Sequence, residues 1–275
     1  MGRPAMRILP GFSLTMGLTI TWLSLIVLIP LTAVFLRSFG QGFDHFVSVA
    51  FSERALASYR VTFGAAALAA LINSVFGLLI TWVLVRYRFP GRQLFSAVID
   101  LPFALPTAVA GIALTAIYAD TGWLGEPLAK LGIAVAYHPQ GIVVAMAFIG
   151  LPFVVRTVEP VLADLGRDIE EAAITLGARR WQVFSRVVLP EIMPALVTGT
   201  ALAFARGVGE YGSVIFIAGN MPMISEISPL LIITQLEQYD YAGATAIATV
   251  MLIVSFAMLL LLNMIQGWQR KRVAL

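Results

Sequence analysis

Long apolar runs separated by short polar segments are the main pattern along this chain. Six of these runs are close in length to the ~20 residues that an α-helix needs to cross a bilayer. Pro102, Pro106 and Pro152 blur the ends of the third and fourth runs. The pattern predicts an all-α membrane protein whose residues 1–275 form one transmembrane domain. The predicted spans cover residues 14–36, 62–85, 99–118, 140–160, 194–218 and 244–266.

Composition supports this class of protein. Of the 275 residues, 59% are hydrophobic and 12% are charged, and the mean hydropathy of +0.90 is far from that of soluble domains. The first run follows Arg3 and Arg7, as the apolar part of a signal peptide would. It is longer than such a part and ends in bulky residues, Phe35 and Leu36, without a small-residue cleavage site. We therefore predict that it is retained as a membrane helix.

The distribution of Lys and Arg predicts the orientation. With six spans and both termini cytoplasmic, thirteen of the 18 basic residues face the cytoplasm, as expected because basic residues accumulate in cytoplasmic loops. These are Arg3, Arg7, Arg86, Arg88, Arg92, Arg156, Arg167, Arg179, Arg180, Arg186, Arg270, Lys271 and Arg272. The net charge of +3 thus reflects topology, and it predicts contact with membrane lipid but no nucleic-acid partner.

Several kinds of chemistry are excluded by what the chain lacks. There is no cysteine, so a disulfide, a thiolate nucleophile and a cysteine metal site are impossible. His45 and His138 stand alone, which predicts no metal site. No Gly-Lys is followed by Ser or Thr, so the chain has no phosphate-binding loop and cannot be its own ATPase. We predict no catalytic residues and no bound cofactor.

A polar segment, 168–190, forms the longest predicted cytoplasmic connection. Asp168 with Glu171 three residues later predicts a capped helix start, and Gly177 predicts a left-handed residue that ends the helix. A second short helix is predicted from Arg179 to Leu189, ending where prolines follow. The residues leave two interpretations open. The helix pair either lies on lipid headgroups or docks into a groove of a soluble partner.

The sequence of this segment resembles a known family. Glu-Ala-Ala at 171–173, Gly177 four residues later and Leu-Pro at 189–190 are similar to the EAA loop of ABC-importer permeases. The resemblance implies the type I ABC-importer permease fold and a coupling helix that sits in a cleft of a separate ATPase subunit. It implies the following docking residues: Glu170, Glu171, Ala172, Ala173, Leu176, Gly177 and Trp181.

Four further segments narrow the likeness to the sulfate/thiosulfate permeases of T type, with molybdate permeases as the nearest relatives. They are RYRFPGR at 86–92, DLPFALPTAVAG at 100–111, PFVVRTVEPVL at 152–162 and GEYGSVIFIAGN at 209–220. The resemblance implies a bacterial-type inner membrane, a distinct second permease of W type and two ATPase subunits that use ATP. It also implies a periplasmic sulfate/thiosulfate-binding protein. Molybdate or tungstate as the substrate stays an alternative.

Two ionisable residues lie within the fifth predicted span. Arg206 is placed near mid-span, and Glu210 follows four residues later on the same helix face. The pair either neutralises itself and packs the bundle or, with Gly209 and Gly212, lines the pathway of a dianion. In a rival class, an ion-coupled secondary transporter, the same pair would bind substrate or protons. That class leaves the Glu-Ala-Ala-Gly pattern without a role.

Overall fold

The computed structural model describes residues 12–273, and within them the regular secondary structure is helical. Arg3 and Arg7, which enter the orientation prediction, lie outside the described residues. In chain order the helices are α1 (Phe12–Ser38), α2 (Phe43–Ala50), α3 (Glu53–Arg86), α4 (Arg92–Ile99), α5 (Leu101–Ala104), α6 (Thr107–Tyr118), α7 (Gly125–Lys130), α8 (Pro139–Asp164), α9 (Arg167–Thr175), α10 (Arg180–Val208), α11 (Val214–Ile217), α12 (Ser228–Glu237) and α13 (Tyr241–Val273).

Within residues 12–273, five helices are long and apolar enough to cross a membrane: α1, α3, α8, α10 and the first part of α13. The predicted span at 99–118 is not one helix. Pro106 forces Leu105 into an extended conformation, so α5 ends there and α6 has only 12 residues. At about 1.5 Å per residue, α6 alone is too short to span the hydrocarbon core. The count of six spans and the cytoplasmic location of both termini therefore stay predictions.

Helix α10 corrects the prediction for the fifth span, 194–218. The helix begins at Arg180 and ends at Val208, so it includes most of the predicted second short helix and stops ten residues before the predicted end. Its fifth to ninth residues, Phe184–Val188, form a π-helical turn. Pro190 lies in the first turn of the α-helical part that follows, where a missing N–H is tolerated. Pro190 and Pro194 therefore do not interrupt the helix.

Helices α3, α8 and α10 form the centre of the bundle. Small residues bring them close together: a Cβ atom added at Gly77 of α3 would lie 2.8 Å from Cγ1 of Val154 in α8. A Cβ atom at Gly199 of α10 would lie 2.9 Å from Cα of the same valine. Close backbone approach through small residues is the usual way in which membrane helices associate. The fourth predicted span, 140–160, lies inside α8.

Helix α1 is the least buried of the long helices. It packs along α13, and no part of its membrane-length segment is buried within the chain. Its exposed side chains, such as Leu18 and Trp22, are large and apolar. An apolar surface of this extent requires lipid or another protein chain to cover it.

Candidate functional sites

The polar segment begins with α9, whose start differs from the prediction. Gly166 is the N-cap residue and makes no side-chain hydrogen bond there. Asp168 lies one residue inside the helix, so the predicted Asp168 cap is wrong. Its carboxylate and that of Glu170 still lie in the first turn, where the helix dipole favours negative charge.

Gly177 ends α9 as predicted. Its φ angle of +86° lies in the left-handed region, which only glycine adopts at low cost. The Gly177 N–H donates to the Ile174 carbonyl at 2.9 Å, and the Ala178 N–H donates to the Ala173 carbonyl at 3.0 Å. This pair of bonds is the Schellman motif, and it turns the chain directly into α10.

Glu170 anchors α9 to the body of the helix bundle. Its carboxylate lies 2.6 Å from the Arg86 guanidinium at the end of α3. Arg86 also donates to the Leu165 carbonyl at 3.1 Å, and Arg167 donates to the Arg86 carbonyl at 2.8 Å. The two ends of the α8–α9 connection are thereby held on α3. Glu170 therefore faces the helix bundle.

The predicted docking residues divide into two groups. Glu170 and Ala173 are partly buried on the inner side, where Ala173 packs against the main hydrophobic core. Five others are exposed: Glu171, Ala172, Leu176, Gly177 and Trp181. Leu176 and Trp181 are 90% and 72% exposed. Both residues are large and apolar, so they leave apolar surface uncovered in this part of the chain.

The structure adds two residues to this surface that the sequence analysis missed. Ile169 and Ile174 of α9 are both exposed, and they widen the apolar patch around Leu176. The sequence signal that could have identified them is that both are large, β-branched apolar residues in a mostly polar predicted helix. We name the exposed set Ile169, Glu171, Ala172, Ile174, Leu176, Gly177 and Trp181 the coupling surface.

A series of contacting aromatic side chains connects the coupling surface to α3. The Trp181 and Phe184 rings have centroids 5.5 Å apart, and Phe184 meets Trp82 of α3 edge-on, also at 5.5 Å. The Arg86 guanidinium lies 5.8 Å from the centroid of the Trp82 ring. Direct side-chain contacts therefore run from Trp181 to α3.

The second site lies at the other end of α10. Arg206 is in the last turn of the helix, not near its middle, and Glu210 lies beyond its end, so the predicted shared helix face is wrong. The two side chains nevertheless pair, with 2.6 Å between Arg206 Nη1 and Glu210 Oε2. The Glu210 side chain is 2% exposed and that of Arg206 is 34% exposed. Arg206 is therefore the member of the pair that reaches solvent-accessible space.

Glu210 also organises the irregular backbone that follows α10. Its Oε1 accepts hydrogen bonds from the Ser213 N–H and the Ser213 hydroxyl, both at 2.9 Å. These bonds resemble those of a helix N-cap and precede the short helix α11. Glu210 is thus fixed on both sides, by Arg206 and by Ser213.

The irregular segment after α10 packs against the break between α5 and α6. A Cβ atom at Gly212 would lie 2.2 Å from Oγ1 of Thr107, and one at Gly111 would lie 2.4 Å from the carbonyl oxygen of Ser213. Gly209, in contrast, has only one atom within 4 Å, the Ala205 carbonyl oxygen at 4.0 Å. Irregular backbone within a membrane bundle must be enclosed by protein or line a polar cavity. Here the two breaks meet.

We expect Gly111→Ala to destabilise the protein by ~1–3 kcal/mol, the usual cost of overpacking. The added methyl group would collide with a backbone carbonyl that is itself held by α11. Thermal unfolding of the purified protein measures the effect. Gly64→Ala is the matched control, because Gly64 is also helical and nothing lies within 4 Å of its Cβ position. Equal stability of the two variants would contradict the close packing.

The segment at 225–232 has a structural role that the sequence did not reveal. The Arg54 guanidinium binds the buried Glu226 carboxylate through two hydrogen bonds, at 2.8 and 2.6 Å. The Ser228 N–H donates to the Thr62 hydroxyl at 2.8 Å. These bonds fasten the start of α12 to the first three turns of α3.

No group of three or more His, Asp or Glu side chains within the described residues is placed to hold a metal ion. The predicted absence of a metal, a cofactor and a catalytic residue is not tested by this observation.

Comparison with known proteins identifies relatives. Residues 73–275 match the family described as "Binding-protein-dependent transport system inner membrane component". The chain is 51% identical to the "Probable sulfate transport system permease protein cysT" of Nephroselmis olivacea over 93% of this chain and 90% of that protein. It is 49% identical to the "Sulfate transport system permease protein CysT" of Escherichia coli strain K12 over 97% and 96%.

Solved structures support the fold. One chain of a bacterial ABC transporter that imports alginate superimposes with a TM-score of 0.76 at 19% identity, over 94% of this chain and 96% of that one. A chain of the MetNI methionine ABC transporter gives a TM-score of 0.56 at 17% identity, over 78% and 95%. At these identities the likeness concerns the fold alone. The predicted all-α type I importer fold is confirmed.

Proposed function

The chain belongs to the family of binding-protein-dependent transport system inner membrane components, and we propose that it is the permease subunit of an ATP-driven sulfate importer. The observation that carries the proposal is 49% identity to a sulfate permease over 97% of the chain. It is a multi-pass membrane protein of the bacterial-type cytoplasmic membrane. It transports and does not catalyse, and ATP is hydrolysed by a separate subunit.

The coupling surface is the proposed binding site of that ATPase subunit. Its exposed Leu176 and Trp181 offer the apolar anchors that dominate protein interfaces. Gly177 presents backbone without a side chain, so a partner can approach closely at the bend. Glu170 and Ala173 support the surface from inside through Arg86 and the core. Of the predicted docking set, we therefore assign these two to anchoring.

Arg206 is the proposed pathway residue. Its guanidinium is partly exposed while its partner Glu210 is enclosed, so the positive charge is the one available to a dianion. Glu210, which is itself held by Ser213, holds the guanidinium in position, and Gly212 allows the irregular segment to lie against Thr107. Gly209 has free space around it and is the position at which this segment is least constrained by packing.

The proposed complex contains further subunits. Two permeases form the pathway, of which the second is a distinct W-type chain, and two ATPase subunits bind to the coupling surfaces. A periplasmic sulfate/thiosulfate-binding protein delivers the anion from the opposite side. The large apolar surface of α1 is consistent with lipid and with a second permease as neighbours.

The proposed cycle begins when ATP closes the ATPase pair. The coupling surface moves with the ATPase subunit, and α9 transmits the motion to α8 and α10 because the Schellman bend and the Glu170–Arg86 ion pair leave it little independent freedom. The irregular segments near Arg206 then change their access from one side of the membrane to the other. ATP hydrolysis resets the complex.

We expect the reconstituted complex of both permeases, the ATPase subunits and the binding protein to accumulate radiolabelled sulfate only when ATP is present. Thiosulfate should compete, since it has the same charge and a similar tetrahedral shape. The control omits the ATPase subunit and supplies an ion gradient. Uptake under that control would establish an ion-coupled transporter. Uptake of molybdate or tungstate without sulfate would change the substrate but not the mechanism.

A further inference from the structure

Arg156 makes an extensive set of polar contacts, although the proposed function assigns it no role. Arg156 is predicted to lie on the cytoplasmic side, in a connection between spans, but it lies inside α8. Its guanidinium binds both oxygens of Asp100, at 2.7 and 2.5 Å. It also donates to Glu159 at 2.5 Å and to the carbonyl and hydroxyl oxygens of Ser96 at 2.9 and 2.8 Å. All three guanidinium nitrogens are engaged.

These contacts tie α8 to the segment that leads into the broken helix. Ser96 lies in α4, and Asp100 is the residue directly before α5. A second contact lies one turn away, where the Phe103 ring of α5 meets the Phe153 ring of α8 edge-on at 5.1 Å. Residues 153 and 156 share one face of α8 because they are three apart. The segment is therefore attached to α8 at two points on one face.

The attached segment lies between the two sites described above. On one side, α8 ends at Asp164 and continues into α9 after two residues. On the other side, α5 leads through Pro106 into α6, where Thr107 and Gly111 contact Gly212 and Ser213. Ser213 is bonded to Glu210. A continuous series of contacts thus joins the coupling surface to the Arg206–Glu210 pair.

Because the helix is broken at Pro106, α6 can follow α8 only through contacts between the two segments. A continuous helix would carry a displacement along its own hydrogen bonds, but α5 ends at Ala104, Leu105 is extended, and Pro106 has no N–H to donate. The position of α6 relative to α8 then depends on side-chain contacts. The bidentate Arg156–Asp100 pair is the strongest kind of polar contact available for this purpose.

We propose that Arg156 is a positioning residue that makes α5 and α6 follow the movement of α8, so that closure at the coupling surface reaches Glu210. The inference rests on the proposed function, since it requires an ATPase subunit that moves α9. Isolated exposed ion pairs contribute little. This one is bidentate and part of a network of four residues, which is the arrangement in which such pairs matter.

The test uses the assembled transporter in membranes. Because the chain contains no cysteine, Ala108→Cys provides a single reporter in the first turn of α6. We expect its alkylation rate to change when ATP and vanadate trap the closed ATPase pair. In Arg156→Ala and in Asp100→Asn this change should disappear, and sulfate uptake should fall about tenfold, within the range of measured coupling energies. Binding of the ATPase subunit should persist.

Arg54→Ala is the matched control, because it breaks another bidentate arginine–carboxylate pair, with Glu226, outside the proposed series of contacts. It should keep the ATP-dependent change at position 108, and Arg156→Lys should keep part of it. The inference is overturned if Arg156→Ala retains the full change, or if Arg54→Ala loses it equally. The reporter needs no transported anion, so an error in the proposed substrate would leave the alkylation result intact and appear only in the uptake assay.

Discussion

Replacing Gly177 with tryptophan is expected to abolish ATP-driven sulfate uptake while the permease remains folded in the membrane. Gly177 has a φ angle of +86° and nothing within 4 Å of its Cβ position. The permease itself therefore bears only the cost of a left-handed residue, ~1–2 kcal/mol. The indole ring would project from the coupling surface, where it would exclude the ATPase subunit.

The measurements are ATP-driven uptake and co-purification of the ATPase subunit, with membrane insertion checked by protease protection. Gly91→Trp is the matched control. Gly91 has a φ angle of +81° and also has free space at its Cβ position, and it is the N-cap residue of α4, in a different loop. The Gly91→Trp variant therefore imposes a similar backbone strain at a place away from the coupling surface. If both variants transport at the parent rate, the segment does not dock an ATPase.

Charge reversal tests the same surface without strain. Glu171 is exposed and lies within α9, so Glu171→Lys leaves the core and the Glu170–Arg86 pair in place. We expect uptake to fall at least about tenfold, as for a central interface residue. Glu191→Lys, at an exposed position near the start of the α-helical part of α10, controls for the change in net charge.

Replacing Arg206 with alanine is expected to lower sulfate uptake at least about tenfold, with normal insertion and assembly. The variant removes the one partly exposed charge of the site. It also leaves the Glu210 carboxylate buried with only Ser213 as a donor, and an unpaired buried charge is costly by itself. A loss of uptake in this variant alone therefore does not separate a pathway role from a packing role.

The double variant Arg206→Ala/Glu210→Gln separates them. If the pair only packs the bundle, removing both charges relieves the unpaired carboxylate and should restore uptake. If Arg206 interacts with the dianion, uptake should stay low although stability recovers. Arg206→Lys should retain part of the activity, because it keeps the charge but not the planar guanidinium. Parent-level uptake by the double variant would refute the pathway role.

The features that were predictable from the sequence depend on neighbouring residues, whereas the others depend on contacts between distant segments. The apolar runs predicted α1, α3, α8 and α13. A long apolar segment in lipid must satisfy its backbone hydrogen bonds within itself, so it forms a helix, and the segment's own composition is enough to predict this. Gly177 was predictable for a similar reason, since a left-handed residue after a helix is encoded by one glycine.

Proline signals were ambiguous. Pro106 ends a helix, whereas Pro152 lies inside α8 and Pro190 inside the continuous helix α10. The difference depends on neighbours. A π-helical turn precedes the α-helical part that contains Pro190, while the break at Pro106 is packed against Gly212. Neither condition can be recognised from the residues adjacent to the proline.

The sequence by itself determined the class of the protein, the position of the glycine bend and the presence of two charges in the fifth apolar run. Only the tertiary structure decided which side chains face which partner. It directs Glu170 to Arg86 and leaves Glu171 exposed, and it pairs Asp100 with Arg156, 56 residues away. Helix formation is a local process, so neighbouring residues predict it. Side-chain partnership depends on how separate helices pack, and that arrangement exists only once the bundle has formed.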